Sequence, residues 1–386
     1  MKRRTICILL TIFSAHVFAQ KSKPSDAAIK QTEKEIHSIM EQFDAIGIAV
    51  AVVKDQDIIY SNNFGYRNLE TQEPLETSDI FRIASISKSF SATAVMQLVE
   101  QGKASLDDDL SELIGFKVRN PRFPNTIITL RMALSHTSSI SDSEGYFNLD
   151  IINPNKNPDW ASSYNDYEPG TDYEYCNLGF NMIGTIIERI SGERFDKHIK
   201  KTILDPLRLY GGYNVNALDS NRFVTLYSYD PDTKKFTPSP SAYAPRSEEI
   251  ANYTMGYSTP VFSPTGGMKI SAIDLAKYMT MHMHFGSVVG TKIISEESAK
   301  IMQTPVAIED GYGLALLKSS DLIDGVTLTG HTGSAYGLYS AMFFNPDEKY
   351  GFIVVTNGIN IPPTDDVNTF QKAIITSLYT NLIHSK

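Results

Sequence analysis

Apolar positions along the chain follow two different periods, and where each occurs sorts the sequence into elements. Between residues 25 and 43, Ala28, Ile36, Ile39, Met40 and Phe43 recur at helical spacing, which predicts a first helix. Residues 48–53 and 58–64 are short apolar runs on either side of the polar stretch 54–57, the pattern of a β-hairpin. A second hairpin is predicted near the other end, with strands at 338–344 and 351–356 around residues 345–349. The segment 367–383 returns to helical spacing.

The middle of the chain is helical in character. Residues 87–101 read as an amphipathic helix closed by Gly102, and 178–191 as another closed by Gly192, each glycine standing where a helix C-terminus favours one. Ser271 with Asp274 three residues on has the form of a capping box that opens a helix to His284, with Gly286 at its end. Hairpins at both ends with helices between them predict an α+β chain: an antiparallel sheet assembled from both termini, flanked by N- and C-terminal helices, with a helical subdomain inserted. No repeat, low-complexity tract or long linker interrupts residues 20–386, which read as one domain. Its α/β part is placed at about 20–80 and 208–386 and its helical part at about 81–207.

The N-terminus departs from this pattern. Met1-Lys2-Arg3-Arg4, an apolar run over residues 6–13 and then Val17-Phe18-Ala19 read as a secretory signal peptide cleaved near Ala19. The apolar run is too short for a permanent membrane span, so a periplasmic protein without a stable membrane anchor is expected. Removing residues 1–19 takes away Lys2, Arg3 and Arg4 and no acidic residue, so the formal charge goes from −9 to −12. A chain this acidic is a poor partner for nucleic acid or anionic membranes. Of the 2 cysteines only Cys176 remains, so the exported fold relies on its core and not on a disulfide.

Candidate chemistry centres on Ser85-Ile86-Ser87-Lys88. A hydroxyl and an amine three residues apart share a helix face, so Lys88 can reach Ser85 Oγ. The positive end of the helix dipole disfavours a second positive charge there and favours an easily deprotonated lysine. Such a lysine beside a serine is one route to an activated nucleophile. Tyr175-Cys176-Asn177 stands directly before the helical run at 178, and His331-Thr332-Gly333 between two strand-like runs.

Three motifs in this order, S-x-x-K, Y-x-N and [K/H]-T-G, resemble the class C β-lactamase and penicillin-binding-protein family. Residues 128–138, 263–268 and 274–277 extend the resemblance over nearly the whole chain after the leader. It implies a β-lactamase/transpeptidase-like fold with its active site in a cleft between the two parts. It implies Ser85 as nucleophile, Lys88 and Tyr175 as proton-transfer groups, and Asn177, Thr332 and Gly333 beside the substrate. Asn177 also suits an ordinary N-cap. The backbone N–H groups of Ser85 and Ser334 are the expected oxyanion hole. At His331 the sequence departs from the β-lactamase branch, which has a lysine there to bind a substrate carboxylate. A histidine, mostly neutral at pH 7, shifts the expectation toward esterase, amidase or aminopeptidase-like substrates.

The expected activity is a serine acyl-enzyme hydrolase acting on a small ester, amide or peptide. Open alternatives are a D-Ala carboxypeptidase or D-aminopeptidase on cell-wall peptides, an acyltransferase to a hydroxylated apolar acceptor, a β-lactamase, and a penicillin-binding sensor without turnover. No cofactor or metal is implied; His282 and His284 point to different helix faces, and His136 reads as structural. Aromatics in residues 138–172 and 210–263 (Tyr146, Phe147, Trp160, Tyr164, Tyr167, Tyr227, Tyr229, Tyr243, Tyr253 and Tyr257) either line the cleft or pack the loops.

Overall fold

Strand β1 (Gly47–Lys54) is apolar from Ile48 through Val53, with no polar alternation. The computed structural model, which describes residues 23–361 and 367–384, shows why. Successive side chains of a strand point to opposite faces, and here both faces are covered. Ala49, Ala51 and Val53 join one hydrophobic core, while Ile48, Val50 and Val52 join a second on the other side of the sheet.

Around β1 the elements run in a simple order. Helix α1 (Asp26–Gln42) precedes it, and β2 (Asp57–Asn68) and the short β3 (Glu73–Pro74) follow. Strand β4 (Phe81–Arg82) leads through a 3-10 turn at Ala84–Ile86 into α2 (Ser87–Glu100). Helices α3 (Leu110–Ile114), α4 (Leu130–Leu134), α5 (Asn177–Ser191) and α6 (Phe195–Ile199) make up the rest of the helical region. Then come β5 (Gly211–Gly212), the hairpin of β6 (Tyr227–Asp230) and β7 (Lys235–Pro238), and α7 (Ser247–Ala251). Strand β8 (Lys269–Ile270) opens into α8 (Ala272–Met283), followed by β9 (Ser287–Val288), β10 (Thr291–Lys292) and α9 (Glu296–Gln303). The chain ends with β11 (Leu317–Ile323), β12 (Val326–Ala335), β13 (Leu338–Asn345), β14 (Tyr350–Thr356) and α10 (Thr369–Leu378).

The main sheet is antiparallel with the order β11-β12-β13-β14-β1-β2-β3. The two hairpins read from the sequence are therefore neighbours, joined where Ile48 faces Thr356. Ile36 and Met40 of α1 and Phe370 and Ile374 of α10 fill the core on one face. On the other face α8 lies so close to β14 that a Cβ at Gly351 would stand 2.7 Å from Met279 Cε.

Two local expectations are corrected. Helix α2 is buried on every side from Ser87 to Leu98 and is not amphipathic. It tolerates this because its hydroxyls are paired internally: Ser91 Oγ donates to Pro264 O at 3.0 Å, and Ser87 Oγ accepts from Met268 N at 3.0 Å. At α8 only half of the capping box forms. Ser271 Oγ accepts from Asp274 N at 3.2 Å, but the Asp274 carboxylate turns to Lys277 Nζ and Tyr210 N. The complete box belongs to α10, where Asn368 and Gln371 exchange bonds of 2.8 and 3.2 Å. The segment read as a signal peptide, residues 1–19, lies outside the described residues. Among the described residues no helix is long and apolar enough to cross a membrane.

Candidate active site

Ser85 is held by an unusual backbone. Ala84, just before it, adopts a left-handed φ of 47°, a conformation that costs free energy in any residue with a Cβ. Strand β12 is pressed against this point. A Cβ on Gly333 would meet Ile83 O and Ser340 Oγ at 2.4 Å, with Ala84 Cβ at 3.2 Å, so only glycine lets the strand approach. Ser340 Oγ, on the neighbouring strand β13, donates to Ile83 O at 2.9 Å. The result is that Ser85, from the helical side, and Thr332, Gly333 and Ser334, from the sheet, line one cleft of about 720 Å3.

Lys88 is fully buried beneath that cleft. Its ammonium donates to Ser85 Oγ at 3.1 Å, Asn177 Oδ1 at 2.8 Å and Thr265 O at 3.1 Å. It also sits 4.5 Å from the centroid of the Tyr175 ring, where the π-face attracts a cation. Thr265 Oγ1 donates to the same Asn177 oxygen at 2.7 Å. Thr265 belongs to residues 263–268, a segment that resembles the family without itself marking this hydroxyl.

The second motif is anchored by two residues from distant loops. Asn177 is not the helix cap; Cys176 is, its Sγ accepting from Gly179 N at 3.4 Å. This leaves the Asn177 side chain available for the cleft. Asp142 closes the helix start from outside: its carboxylate accepts from Asn177 N at 2.8 Å, Leu178 N at 2.8 Å and Asn177 Nδ2 at 2.9 Å. By accepting from Nδ2 it orients the amide so that Oδ1 faces Lys88. His136 is structural, as its sequence context predicts. It is buried, its Nδ1 accepts from Cys176 N at 3.0 Å, and burial first, then the proximity of Lys88 and of the His331 imidazole, hold its own imidazole far below the usual range.

His331 faces the cleft as an uncharged group. Burial, reinforced by nearby Lys88, pushes its pKa down to about 3 against the opposing pull of the Thr332 carbonyl. Its Nδ1 lies 2.5 Å from Thr332 O, which fixes the proton on that nitrogen, so that Nε2 accepts from the Tyr312 hydroxyl at 2.8 Å. Tyr312 lies far from every motif, and the sequence offers no mark that distinguishes it. Its ring packs against His136 at 4.8 Å and Tyr173 at 5.6 Å, making an aromatic wall.

Of the aromatics singled out in the two long loops, Tyr146 and Phe147 line the cleft, joined by Tyr173, Tyr175, Tyr312 and Tyr336. The others serve packing. Trp160 and Tyr164 meet edge to face at 5.9 Å, Tyr253 bonds buried Glu188 at 2.5 Å, and Tyr243 OH accepts from Arg82 N at 3.1 Å. Loop position alone carries no information about which way a ring points. His282 and His284 diverge as expected, His282 to Tyr278 OH at 2.9 Å and His284 to Asp55 O at 2.8 Å.

With this geometry in place, similarity to known proteins is extensive. A family model described as Beta-lactamase matches residues 33–376. Penicillin-binding protein 4 of Amycolatopsis lactamdurans is 28% identical over 352 residues, covering 82% of this chain and 84% of that protein. The octameric penicillin-binding protein homologue from Pyrococcus abyssi has 28% identity and a TM-score of 0.69, over 87% of this chain and 74% of that one. EstCE1, a hydrolase with promiscuous acyltransferase activity, shares the fold at TM-score 0.71 and 20% identity, over 92% of this chain and 100% of its own.

Proposed function

The chain belongs to the beta-lactamase family of serine hydrolases, and on that premise we propose that it cleaves an ester or amide through an acyl intermediate on Ser85. The observation that carries this reading is the junction at Lys88: its Nζ lies 3.1 Å from Ser85 Oγ and 4.5 Å from the Tyr175 ring centroid, at the floor of the aromatic cleft. In the reactive form Lys88 or Tyr175 has already given up a proton, and that one group takes the hydroxyl proton of Ser85 as Oγ forms a bond to the carbonyl carbon and the carbonyl π electrons move onto oxygen. The oxyanion is received by the backbone N–H groups of Ser85 and Ser334. The same proton returns to the leaving alcohol or amine as its bond to carbon breaks. Water then repeats the sequence on the acyl-enzyme and regenerates Ser85.

Neutral His331 supports an acyl group that does not place a carboxylate at the third motif, unlike a β-lactam. The rings of Tyr146, Phe147, Tyr173 and Tyr336 support a flat or apolar acyl chain. The same aromatic mouth favours a second reading, transfer of the acyl group to an apolar alcohol in place of water. Export to the periplasm, through a leader at residues 1–19, completes the proposal.

A panel of p-nitrophenyl esters, D-amino acid amides and nitrocefin, assayed with and without added alcohols, tests it. Release of p-nitrophenol that is lost in Ser85→Ala supports the hydrolase, and ester products that scale with added alcohol support transfer. Nitrocefin turnover faster than ester turnover would overturn the part assigned to His331. Fractionation of expressing cells locates the protein.

A further inference from the structure

Beside the cleft lies a second cavity, of about 390 Å3, with an unusual charge distribution. Arg82, Phe147, Ser263 and Tyr336 line both spaces, so the two are contiguous. Strands β4 and β8 pair with Arg82 directly opposite Lys269, a placement of like charges that destabilises a sheet. Both side chains are buried, at 7% and 3% exposure. Among the described residues neither forms an ion pair with a carboxylate. Arg82 donates to neutral oxygens, Gly266 O at 2.9 Å, Ala242 O at 3.3 Å and Ser263 Oγ at 3.5 Å, and its guanidinium lies 4.9 Å from the Tyr336 ring centroid. Lys269 Nζ donates to Tyr213 O at 2.9 Å. The third cation of the cavity, Arg246, is offset by Glu249 at 3.0 Å.

A protein that buries two adjacent cations without counter-ions carries a standing cost in stability. Burial, and then Arg82 and Arg246, hold the Lys269 ammonium far below its usual range, a measure of the missing negative charge. Phe147, Val215, Pro260, Val261 and Phe262 give the cavity apolar walls, and Glu249, the one carboxylate that lines it, is paired with Arg246.

We propose that this cavity is a substrate subsite for a carboxylate, bound by Arg82 and Lys269 while the scissile carbonyl of the same molecule lies at Ser85. The inference rests on the Ser85 reading above and names the substrate class: an ester or amide with an anionic tail. Arg82 is three residues before Ser85, so their Cα atoms lie within about 11 Å, a span that a short acyl chain covers. A monoanion suits the site better than a phosphate dianion, because Arg82 brings one permanent charge and Glu249 already answers Arg246. The positive charge missing at His331 is thus present on the flank of the cleft.

The test compares p-nitrophenyl hydrogen glutarate with its neutral methyl ester. The wild type should favour the anionic substrate in kcat/KM by about tenfold or more, and Lys269→Met and Arg82→Gln should bring that ratio toward one. Equal values in the wild type, or a preference unchanged in both variants, would overturn the subsite. A turnover-independent arm uses the Ser85→Ala protein with calorimetry. Monomethyl glutarate should bind about tenfold more tightly than dimethyl glutarate, and adding Lys269→Met should remove the difference. That result stands even if Ser85→Ala retains hydrolysis, which would sink the serine mechanism and not the subsite. Inorganic phosphate binding more tightly than monomethyl glutarate would overturn the carboxylate assignment.

Discussion

Two buried lysines stand on either side of the nucleophile, and the protein treats them in opposite ways. Lys88 is surrounded by oriented acceptors: Ser85 Oγ, Asn177 Oδ1 and Thr265 O take its hydrogen bonds. Asn177 is held in turn by the carboxylate of Asp142, so a negative charge stands one amide away. Lys269 is as deeply buried, yet it faces Arg82 across a strand pair and bonds a single carbonyl, Tyr213 O. A satisfied polar network fixes a geometry, whereas an uncompensated one stores unfavourable energy that a ligand can release. The first arrangement suits a group that must act on every substrate. The second suits one that selects among them.

Breaking the first network should have the largest effect. Lys88→Met is expected to lower kcat/KM by about 10²–10⁴-fold for neutral and anionic esters alike, as loss of a proton-transfer group does. Steady-state kinetics on the ester pair shows whether the loss is uniform; a loss confined to one ester would place Lys88 in recognition instead. Next is Asp142→Ala, which leaves the N–H groups of Asn177 and Leu178 without their acceptor. We expect a loss of about 10²-fold in kcat through a misplaced Asn177 and about 1–3 kcal/mol in stability. Denaturant unfolding and kcat measured on the same variant separate these effects, and an unchanged kcat would confine Asp142 to helix capping.

The second network predicts the opposite sign. Lys269→Met should stabilise the ligand-free protein by about 1–2 kcal/mol, since it removes a buried cation that lacks a counter-ion. The sign follows from the depressed pKa. Stability is greatest above the lysine's unfolded pKa of about 10.4, where both states carry the neutral amine, and is lost as pH falls from there toward the lowered folded pKa. The gain from Lys269→Met is therefore present at neutral and acid pH and vanishes in strong alkali. Thermal melts across pH show it, and a destabilised variant would contradict the comparison.

A further effect, confined to acid pH, concerns His331, whose pKa falls from 6.5 to about 3 on folding. The unfolded chain takes up this proton first, so stability is lost as pH falls from 6.5 toward 3. The slope is at most about 1.4 kcal/mol per pH unit for this one group. In His331→Gln the urea midpoint should fall less steeply over this window. An identical slope would mean that the histidine is protonated in the folded state.

What could be read from the sequence divides along the same line. Ser85, Lys88, Tyr175, Asn177 and the His331-Thr332-Gly333 run were legible as candidates because they form three motifs, in order, that resemble those of a known family; the spacing of Ser85 and Lys88 alone would not have marked them. The hairpins and terminal helices were legible from apolar period alone, although the burial of α2 on all sides was not, since its serines and threonines mimic a polar face. Asp142 and Tyr312 act through tertiary contacts and carry no local mark, and Thr265 lies in a segment that the resemblance includes without giving it a role. Arg82 sits inside the nucleophile's own segment but reads as a flanking charge until strand β8 brings Lys269 opposite it. Ten loop aromatics offered no rule for choosing Tyr146 and Phe147, because irregular backbone has no period to set side-chain direction.

If acyl transfer passes through Ser85, the acyl intermediate can be trapped on that residue. The protein is mixed with a slowly deacylating p-nitrophenyl ester, quenched in acid, digested and analysed by mass spectrometry. One acyl group per chain is expected on the peptide that contains Ser85, with no adduct in Ser85→Ala. An acyl group on any other residue, or adduct formation that persists in Ser85→Ala, would contradict acyl transfer through Ser85.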